Sequence, residues 1–199
     1  MINTKLSALA LLGLCACGGT GTPVTTTNPV PSAALSFAEI ADIADDVNRG
    51  YNAVGITPKA QVPISGGATY QGAVGGTVAV QGNVTDVAGV MAMDVDFSRD
   101  RVGGLLGNFV TRAGDPIDGT LSLNNGVLNR QSNSQQVAIF ADVDGNLRSA
   151  AGEFITVDAR LRNSGFKGND VQFIGGDITG DIYVDGVRGD LDLRTQLER

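Results

Sequence analysis

The chain has no histidine and no tryptophan, and its 199 residues hold only two cysteines, Cys15 and Cys17. Without histidine, neither a Ser-His-Asp nor a Cys-His nucleophile can be assembled. The usual zinc set of His and Cys is missing, and haem would have only Tyr or Met to ligate it. The expectation is therefore a non-enzyme with no cofactor and no metal. Both cysteines lie in the first 17 residues, so no internal disulfide is expected in the rest of the chain. Positive charge is short as well, with 14 Lys and Arg against 21 Asp and Glu and a formal net charge of −7. An acidic surface argues against a nucleic-acid partner, which attracts clustered Lys and Arg. It also argues against peripheral docking on anionic lipid. No apolar run reaches the roughly 20 residues that span a bilayer as a helix.

What stands at the start of the chain reads as a targeting signal. Lys5 supplies the positive segment, and Leu6 to Leu14 form a short apolar run of signal-peptide length. Leu14-Cys15-Ala16-Cys17, followed by Gly18-Gly19, resembles the lipobox of bacterial lipoproteins. That resemblance implies cleavage before Cys17 and diacylglycerol on its thiol. Cys15 fits less well as acceptor, because bulky Leu14 precedes it. Gly18 stands where an Asp would retain a lipoprotein at the inner membrane of enterobacteria, so the resemblance also implies the outer membrane. Each buried methylene contributes about 0.8 kcal/mol, so two or three acyl chains would hold the protein without any spanning helix.

Removing residues 1–16 takes away Lys5 and leaves a formal charge of −8 on 183 residues, enough for one domain and a tether. Residues 17–35 read as that tether. Pro23, Pro29 and Pro31 flank a Thr-rich stretch with no apolar periodicity. Residues 36–63 read as a helix and linker. Ser36 and Glu39 have capping-box spacing. Phe37, Ile40, Ala41, Ala44, Val47 and Tyr51 recur at helical intervals to about Asn52. This helix is expected to pack on the domain or plug one end of it, with partner binding as the alternative.

From residue 64 to 199 the period changes to two. Met91, Met93, Val95 and Phe97 alternate with Ala92, Asp94 and Asp96, and Ile155, Val157, Ala159 and Leu161 with Thr156, Asp158 and Arg160. One face is apolar and the other polar, as in an antiparallel sheet with one wet side. Turns are expected at Asp86, Asp100, Asp115-Pro116, Asn125-Gly126, Asp144-Gly145, Gly168-Asn169 and Asp185-Gly186. Eight strands result, beginning near Ala68, Val87, Val102, Gly119, Gln136, Glu153, Val171 and Val187. The fold class is mainly β: a single eight-stranded antiparallel β-barrel preceded by one short α-helix and a lipidated tether. Closure removes the exposed edges. The aromatic girdles of an outer-membrane barrel are lacking, so the barrel is expected to stand outside the bilayer.

Three local patterns bear on chemistry. Asp142-Val143-Asp144-Gly145-Asn146 has part of a calcium loop, with Glu153 at the twelfth position, but its Gly stands at position four; a hairpin turn is the simpler reading. Asp94 and Asp96 share a strand face, which suits a solvated wall better than a carboxylate pair. Met91 and Met93 are expected in the core, with a soft ligand-binding wall as the alternative.

Gly66-Gly67-Ala68-Thr69-Tyr70-Gln71-Gly72, Val95-Asp96-Phe97-Ser98, Ile117-Asp118-Gly119-Thr120-Leu121, Gly165-Phe166-Lys167-Gly168 and Gly176-Asp177-Ile178-Thr179-Gly180-Asp181-Ile182-Tyr183 together resemble the transferrin-binding protein B-like β-barrel family of bacterial surface lipoproteins. The resemblance covers about residues 64 to 197. It implies a lipid-anchored barrel displayed on the outer membrane, with the membrane as one partner through the N-terminal lipid. The expected function is non-enzymatic binding of a protein or small ligand through loops at one end of the barrel. A structural or assembly role in the envelope is the alternative. A lipocalin-like carrier is a third reading: it predicts an apolar cavity, and an interior filled by Met91, Met93, Phe97, Leu121 and Leu123 would exclude it.

Overall fold

The computed structural model of the chain describes residues 34–131 and 134–199. Cys17 and the tether lie outside them. Ser36 caps the helix α1, Phe37–Ala53, and the capping box forms: the Glu39 amide donates to Ser36 Oγ at 3.3 Å and the Ser36 amide to Glu39 Oε2 at 2.8 Å. These bonds to Ser36 hold the Glu39 carboxyl below its usual range. A 3-10 turn follows at Lys59–Gln61. Eight strands come next: β1 Gly67–Val80, β2 Asn83–Asp96, β3 Arg101–Thr111, β4 Pro116–Asn129, β5 Ala138–Ser149, β6 Phe154–Lys167, β7 Phe173–Val184 and β8 Val187–Glu198. Each pairs antiparallel with the next, and β8 pairs with β1 to close the barrel. The expected fold is the observed one.

Register follows the alternation. From Val78 the paired residues run Leu191, Gly180, Ala159, Val143, Leu123, Gly104, Met93 and back to β1 at Tyr70, eight residues from the start. Every residue on that path faces inward. An eight-stranded barrel with this stagger is just wide enough for side chains to fill. One-residue slippage would turn the whole apolar set outward, so the buried face fixes the register. The outer wall carries Asp94, Asp142, Arg160, Asp181 and Arg194, with ion pairs such as Arg160–Asp142 at 3.2 Å and Arg194–Asp177 at 3.5 Å. Charges at such positions are costly against lipid, so the wall suits water.

Three of the expected turns lie inside strands. Asn125-Gly126 and Asp144-Gly145 lie inside β4 and β5 and not at hairpins. Asn125 takes φ 51° and marks a bulge where the β4–β5 register shifts between Asn124 and Val127. Asp86 likewise sits within β2. The hairpins not foreseen are Gln81-Gly82, with φ of 51° and 82° as a two-residue turn requires, and Ala150 to Glu153 around Gly152.

The helix lies on the outside of the barrel and plugs neither end. Ile40 meets the small outward residues Ala73, Ala88, Val90 and Val110. Its axis runs from one end of the barrel to the other. Phe37 stacks under the guanidinium of Arg112, 5.3 Å away, at the β3–β4 hairpin. Tyr51 sits at the opposite end, edge-on to Phe173 and beneath the Lys167 ammonium at 4.1 Å.

That second end is sealed. The segment after α1 crosses it: the Thr57 amide donates to the Phe166 carbonyl at 3.0 Å, and Val62 enters the core. Arg130 holds the segment down, donating to Asp100 at 2.6 Å and to the Pro63 carbonyl at 2.5 Å. Beneath lies an aromatic cluster of Tyr70, Phe97 and Phe166, with Phe166 ring centres 6.2 and 5.9 Å from its two neighbours. The Tyr70 hydroxyl donates to the Val171 carbonyl at 2.6 Å.

Burial pushes the Tyr70 hydroxyl far above its usual range, against a smaller opposing effect of Arg199. Its proton is thus held more tightly folded than unfolded. The stabilisation is full below the unfolded value near pH 10 and is lost as pH rises above it. The urea midpoint should fall between pH 10 and 11.5, and Tyr70→Phe should flatten that fall. The same variant should lose about 1–3 kcal/mol at neutral pH, because the Val171 carbonyl loses its donor. Parallel pH profiles in the two proteins would exclude Tyr70 as the cause.

Candidate functional site

The other end of the barrel is open. The hairpins β1–β2, β3–β4, β5–β6 and β7–β8 surround it, and none has more than four residues between strands. Between them opens a cavity of about 1270 Å³. Its floor is Leu121, Val157 and Leu193, all buried, and its upper wall is Val78, Val80 and Val184, half-buried.

Why this end is empty can be read from the inner face. Several inward positions here are glycine: Gly76 opposite Leu193, Gly119 opposite Leu147, Gly145 opposite Leu121, Gly180 opposite Leu191 and Gly189 opposite Val80. No side chain enters the lumen from them. In the sealed half glycine also faces inward, at Gly72 opposite Leu197 and Gly104 opposite Met93, but Tyr70, Met93, Phe97, Leu106, Phe166 and Leu197 fill the lumen around them. Met91, Met93, Phe97, Leu121 and Leu123 are all buried in the core. By the criterion set from the sequence, that excludes a lipocalin-like carrier with a hollow barrel. It leaves a cup over the Leu121 level.

The rim is polar and acidic. Asp86, Asp115, Glu153 and Asp185 line the mouth with one guanidinium, Arg112, which pairs with Asp86 at 2.6 Å. The other carboxylates are held by neutral groups of the hairpins. Ser149 Oγ donates to Glu153 at 2.9 Å, the Phe154 amide to Asp185 at 2.9 Å, and Thr111 Oγ1 to Asp115 at 3.4 Å. These bonds set the hairpins. Apolar side chains stand out around the same mouth: Val84 is 66% exposed and Phe154 48%.

The residues weighed from sequence fall elsewhere. Asp94 and Asp96 share an outer face, but Asp94 accepts from Thr69 Oγ1 at 2.6 Å while Asp96 accepts from the Arg99 guanidinium at 2.9 Å. The Arg99 bond, with the amides of Ser98 and Arg99, holds the Asp96 carboxyl below its usual range. Asp142 and Asp144 form no calcium loop. Asn125 and Arg160 bind the first and Asn124 the second, on a continuous strand. Asp144, Asp158, Asp181 and Asp190 face one another across four strands, where like charges repel. Arg188 offsets part of this at Asp181, 2.8 Å away. Among the described residues no cluster of three or more His, Cys, Asp or Glu could hold a metal ion. Cys17 lies outside the described residues.

An apolar cavity was expected only under the lipocalin-like alternative, and its restriction to one end was not foreseen. Glycine at inward parity, as in Ile178-Thr179-Gly180-Asp181-Ile182, does not mark that end by itself, because Gly72 and Gly104 face inward in the packed half.

No protein-family model and no curated protein matches the chain. Among solved structures it is similar to two crystal structures of the vaccine antigen transferrin binding protein B from Haemophilus parasuis Hp5. One is a double mutant, at TM-score 0.49 and 16% identity over 72% of this chain and 27% of that one. The other is a single mutant, at TM-score 0.46 and 16% identity over 72% and 29%. The chain thus spans less than a third of the length of either.

Proposed function

We propose that the protein is a non-enzymatic binding protein of the bacterial envelope, held by lipid on Cys17, that takes its ligand into the open end of the barrel. The carrying observation is the inequality of the two ends. One is closed by Val62, Arg130 and the aromatic cluster, and the other opens on about 1270 Å³ with an apolar wall and floor. Pockets of roughly 300–1,000 Å³ with such linings are where proteins hold small molecules. The hairpins at this mouth are too short to form extended recognition loops, so the cup favours an apolar ligand over a protein held by loops. The lipobox resemblance at Leu14 to Cys17 supports the anchor.

Two measurements test the two halves of this reading. Cells expressing the chain and fed labelled palmitate should incorporate label, and Cys17→Ser should abolish it. The purified protein should bind a neutral apolar fluorophore such as N-phenylnaphthylamine saturably, at one per chain. Val80→Asp, which places a carboxylate in the rim, should weaken that binding at least tenfold. Unsaturable binding, or equal binding by the variant, would overturn the cup as the site.

A further inference from the structure

We infer that the mouth of the barrel faces the membrane that holds Cys17, and that the cup takes an acyl chain of a lipid from that membrane whose head carries no net negative charge. This rests on the lipid-anchored reading above.

Orientation comes from the polarity of α1. Its first turn lies at the mouth, with Phe37 against Arg112 of the β3–β4 hairpin, and its last turn lies at the sealed end, with Tyr51 against Phe173. The chain leading back to Cys17 therefore leaves the described fold at the mouth. Sixteen residues lie between Cys17 and Ala34. The 14-residue strand β1 runs for roughly 46 Å, and with the tilt of barrel strands the two ends stand roughly 35 Å apart along the axis. The mouth is thus the end kept near the lipid, and the sealed end points away. Val84, Phe154 and Val187 project around the mouth, where they suit the boundary of a bilayer.

The occupant follows from the lining. Val78, Val80 and Val184 line the cup above the closed level of Leu121, Val157 and Leu193, and its polar groups stand at the rim. A lipid chain needs nothing more. Moving it from bilayer to cup exchanges one apolar environment for another, so loading stays close to balance and is reversible. The head would remain at the rim. Among the described residues, Asp115, Glu153 and Asp185 line the rim without a guanidinium partner, while Arg112 pairs with Asp86 and Arg188 with Asp181, so the lining disfavours an anionic head and tolerates a zwitterionic or cationic one.

Native mass spectrometry supplies the first test. The mature chain carrying Cys17→Ser, incubated with vesicles of phosphatidylcholine, should retain one lipid per protein. With phosphatidylglycerol vesicles it should retain at least five-fold less. No retained lipid, or equal retention of the two, would overturn the inference. The lipidated protein should also take up phosphatidylcholine. Uptake by the Cys17→Ser chain alone would mean that the protein's own acyl chain fills the cup, and would overturn the bilayer as source.

Orientation is tested separately on the lipidated protein in vesicles with brominated acyl chains. Tryptophan fluorescence from Val84→Trp, at the mouth, should be quenched at least two-fold. That from Ile64→Trp should not; Ile64 is 82% exposed on the segment crossing the sealed end. The reverse pattern, or equal quenching, would overturn the orientation. Absence of palmitate labelling would defeat the anchoring alone, since lipid uptake by the Cys17→Ser chain is measured without it.

Discussion

Phe166→Ala should destabilise the protein by about 4 kcal/mol, within the range found for deleting a buried phenyl ring. Phe166 is 1% exposed and stands at the centre of the sealed end, between Tyr70 and Phe97. Its backbone also matters, since its carbonyl accepts from the Thr57 amide of the crossing segment. Truncation leaves a void that rigid strands cannot collapse to fill. With total stabilities commonly about 5–15 kcal/mol, such a loss removes a large part of the whole. The urea midpoint should fall by roughly 2 M, for a slope of about 2 kcal/mol/M. Phe166→Leu, which restores most of the volume, should cost clearly less. A cost below about 1 kcal/mol for the alanine variant would mean that the sealed end is not the packed half of the barrel.

The helix, the strand count and the inner face were legible because each has a local cause. Ser36 and Glu39 cap α1 whatever it packs against. The alternation of Ile155, Val157, Ala159 and Leu161 is set by the pleat, and all four are buried. Met91 and Met93 lie in the core as the same alternation requires.

The turns at Asp100, Asp115-Pro116, Gly168-Asn169 and Asp185-Gly186 were legible because turn residues there fall between two alternating runs. Asn125-Gly126 looks the same in sequence and does something else. A Cβ on Gly126 would run into the Val102 carbonyl, so glycine there serves the close approach of β3 and not a reversal. The cup was not legible for a related reason. Which glycines face inward, and at which end, depends on the stagger of all eight strands, and a stagger is a property of pairs. The sealed end depends on where Val62 and Arg130 meet, 68 residues apart.

The same glycines make the second large effect. Gly76→Ala should cost about 3 kcal/mol, although Ala is otherwise the better residue in a strand. The added Cβ would lie against the Asp192 carbonyl oxygen and Leu193 Cα, both backbone of β8. Neither can rotate away, so the strands must separate. The pair concerned is β1 with β8, the seam that closes the barrel. Strain there opens two edges at once, and open edges invite pairing with other chains. Gly82→Ala is the informative contrast. Gly82 has φ 82° but nothing within reach of a Cβ, so its cost is only the left-handed conformation, about 1–2 kcal/mol. For a domain of this size each kcal/mol shifts Tm by roughly 2–4 °C. Gly76→Ala should therefore melt about 9 °C lower and elute partly as larger species on size exclusion. Gly82→Ala should melt about 4 °C lower and remain monodisperse relative to the parent. Equal shifts for the two variants would show that backbone conformation limits these glycines, and that the close approach of β1 to β8 does not.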